Sequence, residues 1–365
     1  MVTTAGIFVA IIITVYIFRR IYSRACLTNL DVDVSISAST ATEGDSLTLT
    51  EILTNSKWLP LPWVSVKFRT GRELKFSSGV LASDYHYRND LFHILMHQKI
   101  TRRLAFECSK RGFYSISGLE LTAWDLLMEQ KYIRRFPCNV QLTVYPSTIP
   151  TIEMEYLTTR VYGQLRSRHP INPDPFSFRG IREYSPGDPM KSINFKASAR
   201  GAGLMVNMTD FSNAQQATIL LDTQRYILWY NEWLEERAIK IAASIATKLD
   251  LSNTPTSFVT NGKCSVTGNS AYITEGLGTQ HLRSIMEALA YVDVNNQEVA
   301  PIARIIDNFT LAGNHDPEYW LVTPYYSKDV EAAFVELRNS GARAVWIMPG
   351  PKEHDAKFFE DIIYV

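Results

Sequence analysis

Four cysteines in 365 residues are too few, and too far apart, for most sulfur chemistry. Cys26, Cys108, Cys138 and Cys264 contain no C-x-x-C pair and no two at metal-ligand spacing, which excludes a zinc ribbon and a dithiol redox motif. A reducing compartment suits them best; a Cys108–Cys138 disulfide is the alternative. Charge of one sign is missing too. The 37 Lys and Arg balance 37 Asp and Glu, which argues against a general nucleic-acid binder. Short phrases that announce common chemistry are also absent: Gly-x-Ser-x-Gly, Gly-x-x-x-x-Gly-Lys-Ser/Thr, His-Glu-x-x-His and Gly-x-Gly-x-x-Gly. His93 and His97 are four apart with His86 nearby, but no third ligand completes a zinc set. They read as surface or packed residues, and Trp229 with Trp233 reads as packing. No catalytic residue, cofactor or metal is expected.

Long hydrophobic runs are scarce, with one exception. Ala5–Phe18 carries no charge over fourteen residues. As a helix it reaches about 21 Å, short of the roughly 30 Å hydrocarbon core. Extended over Val2–Tyr22 it reaches about 31 Å, provided Arg19 and Arg20 snorkel. No Lys or Arg precedes the run, so it lacks the positive start of a cleaved signal peptide. Arg19, Arg20 and Arg24 follow it. The expectation is a single-pass cell-membrane anchor over 1–24, with the N-terminus outside and the bulk of the chain cytoplasmic.

Beyond the anchor, composition is ordinary for a globular protein, at 46% hydrophobic and 20% charged residues. Residues 27–147 read as β structure. Asp31–Ser37, Ser46–Ile52 and Trp63–Arg69 alternate at period two and are separated by turn residues such as Glu43-Gly-Asp. Short strands without a long helix predict an antiparallel, Ig-like β-sandwich. Residues 148–177 follow as a helix, Thr151–Arg168, and a proline-broken linker. The rest, 178–365, alternates strands and helices. Ala217–Asp222, Tyr319–Thr323 and Ala344–Met348 are short apolar strands, and Thr256–Gly262 is a strand that ends in a turn at Thr260-Asn-Gly. Leu234, Ala238, Ile241, Ile245 and Leu249 share one helical face. Thr279 and Ser327 are expected N-caps, and Gly341 a helix stop. This order predicts an open, largely parallel α/β sheet. The whole is an α+β multidomain chain: anchor, sandwich, α/β domain. Ligands of such sheets sit at the C-terminal ends of strands, which singles out Asp222.

The densest stretch is Phe178–Arg200. From Arg160 to Leu204, six Arg and two Lys face only Asp174, Glu183 and Asp188. Ile181, Tyr184, Ile193 and Phe195 are threaded between the charges, as in a polar network beside a core. Ser185-Pro-Gly-Asp188 makes a turn. Arg182, Lys196 or Arg200 can donate to Glu183 and Asp188, pinning the segment to the sheet. Scaffold, partner docking and catalysis are all open readings of it.

These residues resemble the signature of the domain-of-unknown-function 58 family. Phe178, Gly180, Arg182, Tyr184, Pro186, Gly187, Asp188, Ile193, Lys196, Ala199 and Arg200 match its phrase, with Lys191 for an arginine and Phe195 for a tryptophan. Arg111-Gly-Phe-Tyr and Val144-Tyr-Pro match earlier phrases, while Trp124-Asp-Leu-Leu departs from one. The resemblance implies a C-terminal half similar to von Willebrand factor A domains. In those, an Asp-x-Ser-x-Ser loop often binds Mg2+. Here Gln224 and Tyr226 replace both serines and Arg225 adds positive charge, so Asp222 is a degenerate metal position. The resemblance further implies pairing with a MoxR-type AAA+ ATPase. The expected function is a membrane-anchored, non-enzymatic adaptor or assembly factor for other membrane or envelope proteins. The alternative is a membrane-associated enzyme that holds an anionic substrate with the basic signature.

Overall fold

The computed structural model describes residues 2–76, 87–125, 128–168, 178–185, 190, 193–200, 203–209, 216–226, 230–313, 317–350 and 362–365. The chain divides into two compact units, Met1–Ser147 and Thr148–Val365.

The first unit opens with helix α1 (Val2–Ala25) and continues through nine strands. These are β1 (Leu30–Ile36), β2 (Thr40–Thr42), β3 (Ser46–Asn55), β4 (Leu61–Arg69), β5 (Leu74–Phe76), β6 (Tyr87–Ile94), β7 (Lys99–Cys108), β8 (Gly112–Trp124) and β9 (Lys131–Tyr145). They form two sheets, ordered β1-β3-β7-β5 and β2-β9-β8-β4-β6. Period-two alternation explains the layering. In β1, Leu30, Val32 and Val34 are buried while Asp31 and Asp33 are exposed. Leu49, Leu53, Leu104 and Phe106 from one sheet join Val66, Phe68, Leu121 and Val144 from the other in one core. Cys108 and Cys138 are free thiols.

The anchor expectation is overturned. Among the described residues no helix is long and apolar enough to cross a membrane. The physical reason lies in the residues needed to lengthen the span. Arg19 is ion-paired with Glu129. Tyr22 is 1% exposed, and its hydroxyl donates to the Trp124 carbonyl at 3.1 Å. Cys26 is fully buried in the sandwich core. The end of α1 is thus part of the first unit's packing, and the uncharged run before it is too short alone. The single-pass cell-membrane location expected from this helix falls with it.

The second unit runs α2 (Thr151–Arg168), β10 (Phe178–Glu183), α3 (Phe195–Ser198), β11 (Met205–Thr209), β12 (Ala217–Leu221), α4 (Glu232–Leu251), β13 (Thr256–Cys264) and β14 (Ser270–Gly276). It continues as α5 (Thr279–Tyr291), β15 (Val292–Asp293), α6 (Ile302–Leu311), β16 (Glu318–Val322), α7 (Lys328–Asn339), β17 (Arg343–Met348) and β18 (Ile362–Tyr364). Its seven-stranded sheet has the order β14-β13-β12-β16-β17-β18, with β15 beside β13. Both faces of the central strands are covered. Ile219, Trp320 and Ile347 pack with α2, α4 and α5, whereas Leu220, Leu321 and Trp346 pack with α6 and α7.

The expected largely parallel sheet is corrected to a mixed one. β12, β13, β16, β17 and β18 pair in parallel, but β14 and β15 both run antiparallel to β13. Thr260-Asn-Gly does not end its strand as a turn; β13 continues to Cys264 and folds back as β14. The cap readings also change. Gly278, at φ 90°, precedes α5 where Thr279 was expected, and Ser327 sits at the N-cap of α7 without a side-chain capping bond.

Candidate functional site

The signature forms a small ribbon in the second unit. β10 pairs antiparallel with β11, and Ile193 bridges to Val206. Val206, at 1% exposure, is its buried point. Two side chains absent from the sequence reading hold the segment together. Asn194 accepts from the Ala197 N–H at 3.0 Å, capping α3, while its own N–H donates to the Met205 carbonyl at 2.8 Å. The Ser198 hydroxyl donates to the Asn194 carbonyl and accepts from the Met205 N–H, both at 2.8 Å. Small polar residues of this kind give little periodic signal, although Asn before a short helix is a cap signature.

The charged residues point elsewhere. Arg182, Glu183, Lys196 and Arg200 are exposed, and Tyr184 is half-buried. Arg182 Nη1 donates to the Glu183 carbonyl at 3.0 Å. Pro186, Gly187, Asp188 and Lys191 lie outside the described residues, as does Trp229. The apolar residues between the charges are not core residues either. Ile181 is 41% exposed, Leu204 50%, Phe195 73% and Met190 78%. The ribbon therefore presents a mixed apolar and basic surface.

Asp222 follows the C-terminal end of β12, 1% exposed. Its Oδ1 accepts from the Gln224 N–H at 3.0 Å and from Asn261 Nδ2 at 2.7 Å. Asn261 Oδ1 in turn accepts from the Thr223 N–H at 2.9 Å. Asn261 was read as a turn residue and is instead the buried partner of this loop. A Cβ on Gly262 would stand 2.9 Å from both Thr223 Cγ2 and Val292 Cγ1, so this close approach needs glycine. Burial pushes the Asp222 carboxyl up to about 6, against the hydrogen bonds that favour its charged form. Asp222 Oδ2, Gln224 Oε1 and the Tyr226 hydroxyl have no hydrogen-bond partner among the described residues. Tyr226 lies beside the carboxylate, and the two side chains favour the charged Asp222 and the neutral phenol. The donor set does not fit Mg2+: one carboxylate of raised pKa, an amide and a phenol, with no cluster of three metal-ligating side chains among the described residues.

Arg225, whose positive charge is unfavourable for a metal in this loop, pairs with Glu235. Its guanidinium is held by Glu235 of α4, with contacts of 2.5 and 2.8 Å, and lies 3.7 Å over the Tyr230 ring. Glu235 also accepts from the Tyr325 hydroxyl at 3.3 Å. The loop after β12 is thus pinned to α4 as a structural clamp.

A second polar cluster lies inside the sandwich of the first unit. Arg88 reaches Asp90 at 2.5 Å and Arg102 reaches it at 3.0 Å. Glu51 is 1% exposed, and neither of its carboxyl oxygens has a hydrogen-bond partner by geometry. Burial, then the neighbouring Asp90 carboxylate, pushes Glu51 up to about 8. Its parity with Leu49 and Leu53 points it inward, but the charges it meets there come from other strands.

No family model matches the chain, and no curated protein does. Solved structures do align with part of it. A non-cellulosomal cohesin from Archaeoglobus fulgidus aligns at 9% identity over 35% of this chain and 97% of its own, with a TM-score of 0.23. A type II cohesin domain from the cellulosome of Acetivibrio cellulolyticus aligns at 9% identity over 31% and 95%, with a TM-score of 0.24. A Pyrococcus furiosus CARDB domain, solved in complex with di-metal ions, aligns at 12% identity over 32% and 93%, with a TM-score of 0.21. The expected von Willebrand factor A-like class gains no support from these comparisons.

Proposed function

We propose that the protein is a non-enzymatic adaptor or assembly factor that docks a partner protein through the signature ribbon. The carrying observation is exposure: Phe195 at 73% and Met190 at 78% stand in the same short segment as exposed Lys196 and Arg200. Large apolar groups beside cations suit a docking face with an acidic partner surface, since aromatic and Arg anchors dominate such contacts. Asn194 and Ser198 bond the segment to the Met205 backbone, while Lys196 and Arg200 are exposed. The resemblance to the domain-of-unknown-function 58 family supplies the partner class, a MoxR-type AAA+ ATPase, which would provide the energy this chain has no motif to harvest. The enzyme alternative needs Arg182, Asp188 and Arg200 to converge on a pocket; Arg182 and Arg200 are exposed on separate elements.

The test is the affinity of the full chain for a purified MoxR-type ATPase from the same genome. Phe195→Ala and Arg200→Glu should each weaken it by about tenfold or more, the scale of an interface anchor. Both positions are exposed, so the melting temperature should stay near that of the parent chain. Unchanged affinity in both variants would refute the docking role.

A further inference from the structure

The edge of the five-stranded sheet in the first unit carries a surface that the signature does not explain. β6 ends the order β2-β9-β8-β4-β6, and among the described residues it pairs only with β4. An edge strand offers a row of backbone donors and acceptors to another extended chain. Its outward residues include Leu91, 56% exposed, and His93, whose Nδ1 lies 3.1 Å from the Pro62 carbonyl of β4. Beside it on β4 stands Trp63, 39% exposed. The patch continues past the strand end. Asn55, 1% exposed, donates from Nδ2 to the carbonyls of both Leu59 and Leu95, and the His97 N–H donates to the Lys57 carbonyl. These bonds tie together two loops, one carrying Trp58 and the other Leu95 and Met96, at 61%, 50% and 58% exposure. The buried Asn55 thus fixes the backbone of the two loops that carry these exposed apolar side chains.

Charge selects the occupant. Between Lys57 and Thr70, and between Arg88 and Lys99, the sole carboxylate is Asp90. Asp90 is buried and paired with Arg88 and Arg102. Lys67, Arg69 and Lys99 are exposed. On the neighbouring β8, Glu120 is engaged by Arg135 at 3.3 Å. Two copies of this edge would bring like charges together, and the inward Arg88 and Asp90 are of the kind that discourages indiscriminate edge pairing. We infer that the β6 edge is a docking strand for an extended, acidic segment of a partner protein, with apolar residues at alternate positions. The segment adds a strand beside β6, its backbone bonding to the edge that carries no strand among the described residues. Its apolar side chains cover Leu91 and the tryptophans, and its carboxylates meet the basic rim. This surface belongs to the first unit and does not rest on the signature's role.

The test uses the full chain and two synthetic peptides, one alternating glutamate with valine, the other lysine with valine. The glutamate peptide should bind, lose affinity as salt rises, and protect the β6 amides from hydrogen exchange. Leu91→Glu should weaken it by about tenfold. Trp58→Ala, in an exposed loop, is the second variant should Leu91→Glu fail to fold. Phe195→Ala should leave peptide binding unchanged. The proposal is overturned if the glutamate peptide does not bind, or if the lysine peptide binds as tightly. It is equally overturned if both edge variants bind like the parent, or if the full chain self-associates through the edge and Leu91→Glu dissolves the dimer.

Discussion

Glu51 shows how far a single residue can depart from its reading. In Ser46–Ile52 the alternation was legible, and so was the strand. Leu47, Leu49 and Leu53 share the parity of Glu51, so the alternation already places it on the core face; what it does not show is the charges that Glu51 meets there. Its neighbours Arg88, Asp90 and Arg102 come from other strands, so no local pattern could announce them. The raised pKa has a signed consequence. The folded chain keeps the Glu51 proton that the unfolded chain releases near pH 4.5, so this group lowers stability as pH rises from there to about 8. Glu51→Gln cannot ionise. Its melting temperature relative to the parent should therefore climb between pH 5 and pH 9, measured by calorimetry; a difference constant across that range would show that Glu51 is already ionised at low pH.

A second pair of residues separates structural charge from recognition charge. Glu235 is 2% exposed and holds Arg225 by two bonds. Glu235→Ala strands that guanidinium and leaves the Tyr325 hydroxyl short of a partner, so chemical unfolding should report a loss of about 3 kcal/mol. Arg182, exposed on β10, should cost no more than about 0.5 kcal/mol when replaced by alanine. Equal losses would mean that the signature is as structural as the clamp.

Among elements, those set by burial alone were the readable ones. α2 spans Thr151–Arg168, the stretch expected to be helical, and β12, β16 and β17 are the continuous apolar runs at Ala217, Tyr319 and Ala344. Such runs need no partner to be recognised. β14 was missed because it is a weak, mostly exposed edge strand whose existence depends on β13 continuing past Gly262. The signature ribbon was missed because its joints are side chains bonding to backbone across Asn194, Ser198 and Met205. α1 was read from hydropathy and misplaced because hydropathy cannot distinguish lipid from a neighbouring sheet. Tyr22 makes that distinction testable. Tyr22→Ala removes a ring buried in the sandwich core and should cost about 3 kcal/mol of stability. Calorimetry showing no change would detach the end of α1 from the first unit.

At the scale of the molecule, two units carry two kinds of surface. The second unit holds a buried, clamped loop at the end of β12 and an exposed ribbon of apolar and basic residues. The first holds a sandwich whose β6 edge carries exposed Leu91, with Lys67 and Arg69 exposed on the adjoining β4. Asp222 belongs to neither surface; it is an internal hydrogen-bonding group whose oxygens do not make a Mg2+ set. The sequence singled out this segment but pointed its charges inward, because charge interleaved with aromatics looks like a packed network when exposure is unknown; Arg182, Glu183, Lys196 and Arg200 are exposed. The central claim is that this segment is a docking face. Hydrogen exchange on the full chain, with and without a MoxR-type ATPase, tests it most directly. The account predicts slowed exchange of the Phe178–Glu183 and Met205–Thr209 amides on adding the ATPase, lost in Arg200→Glu. A complex that forms while those amides exchange at their free rate would contradict it.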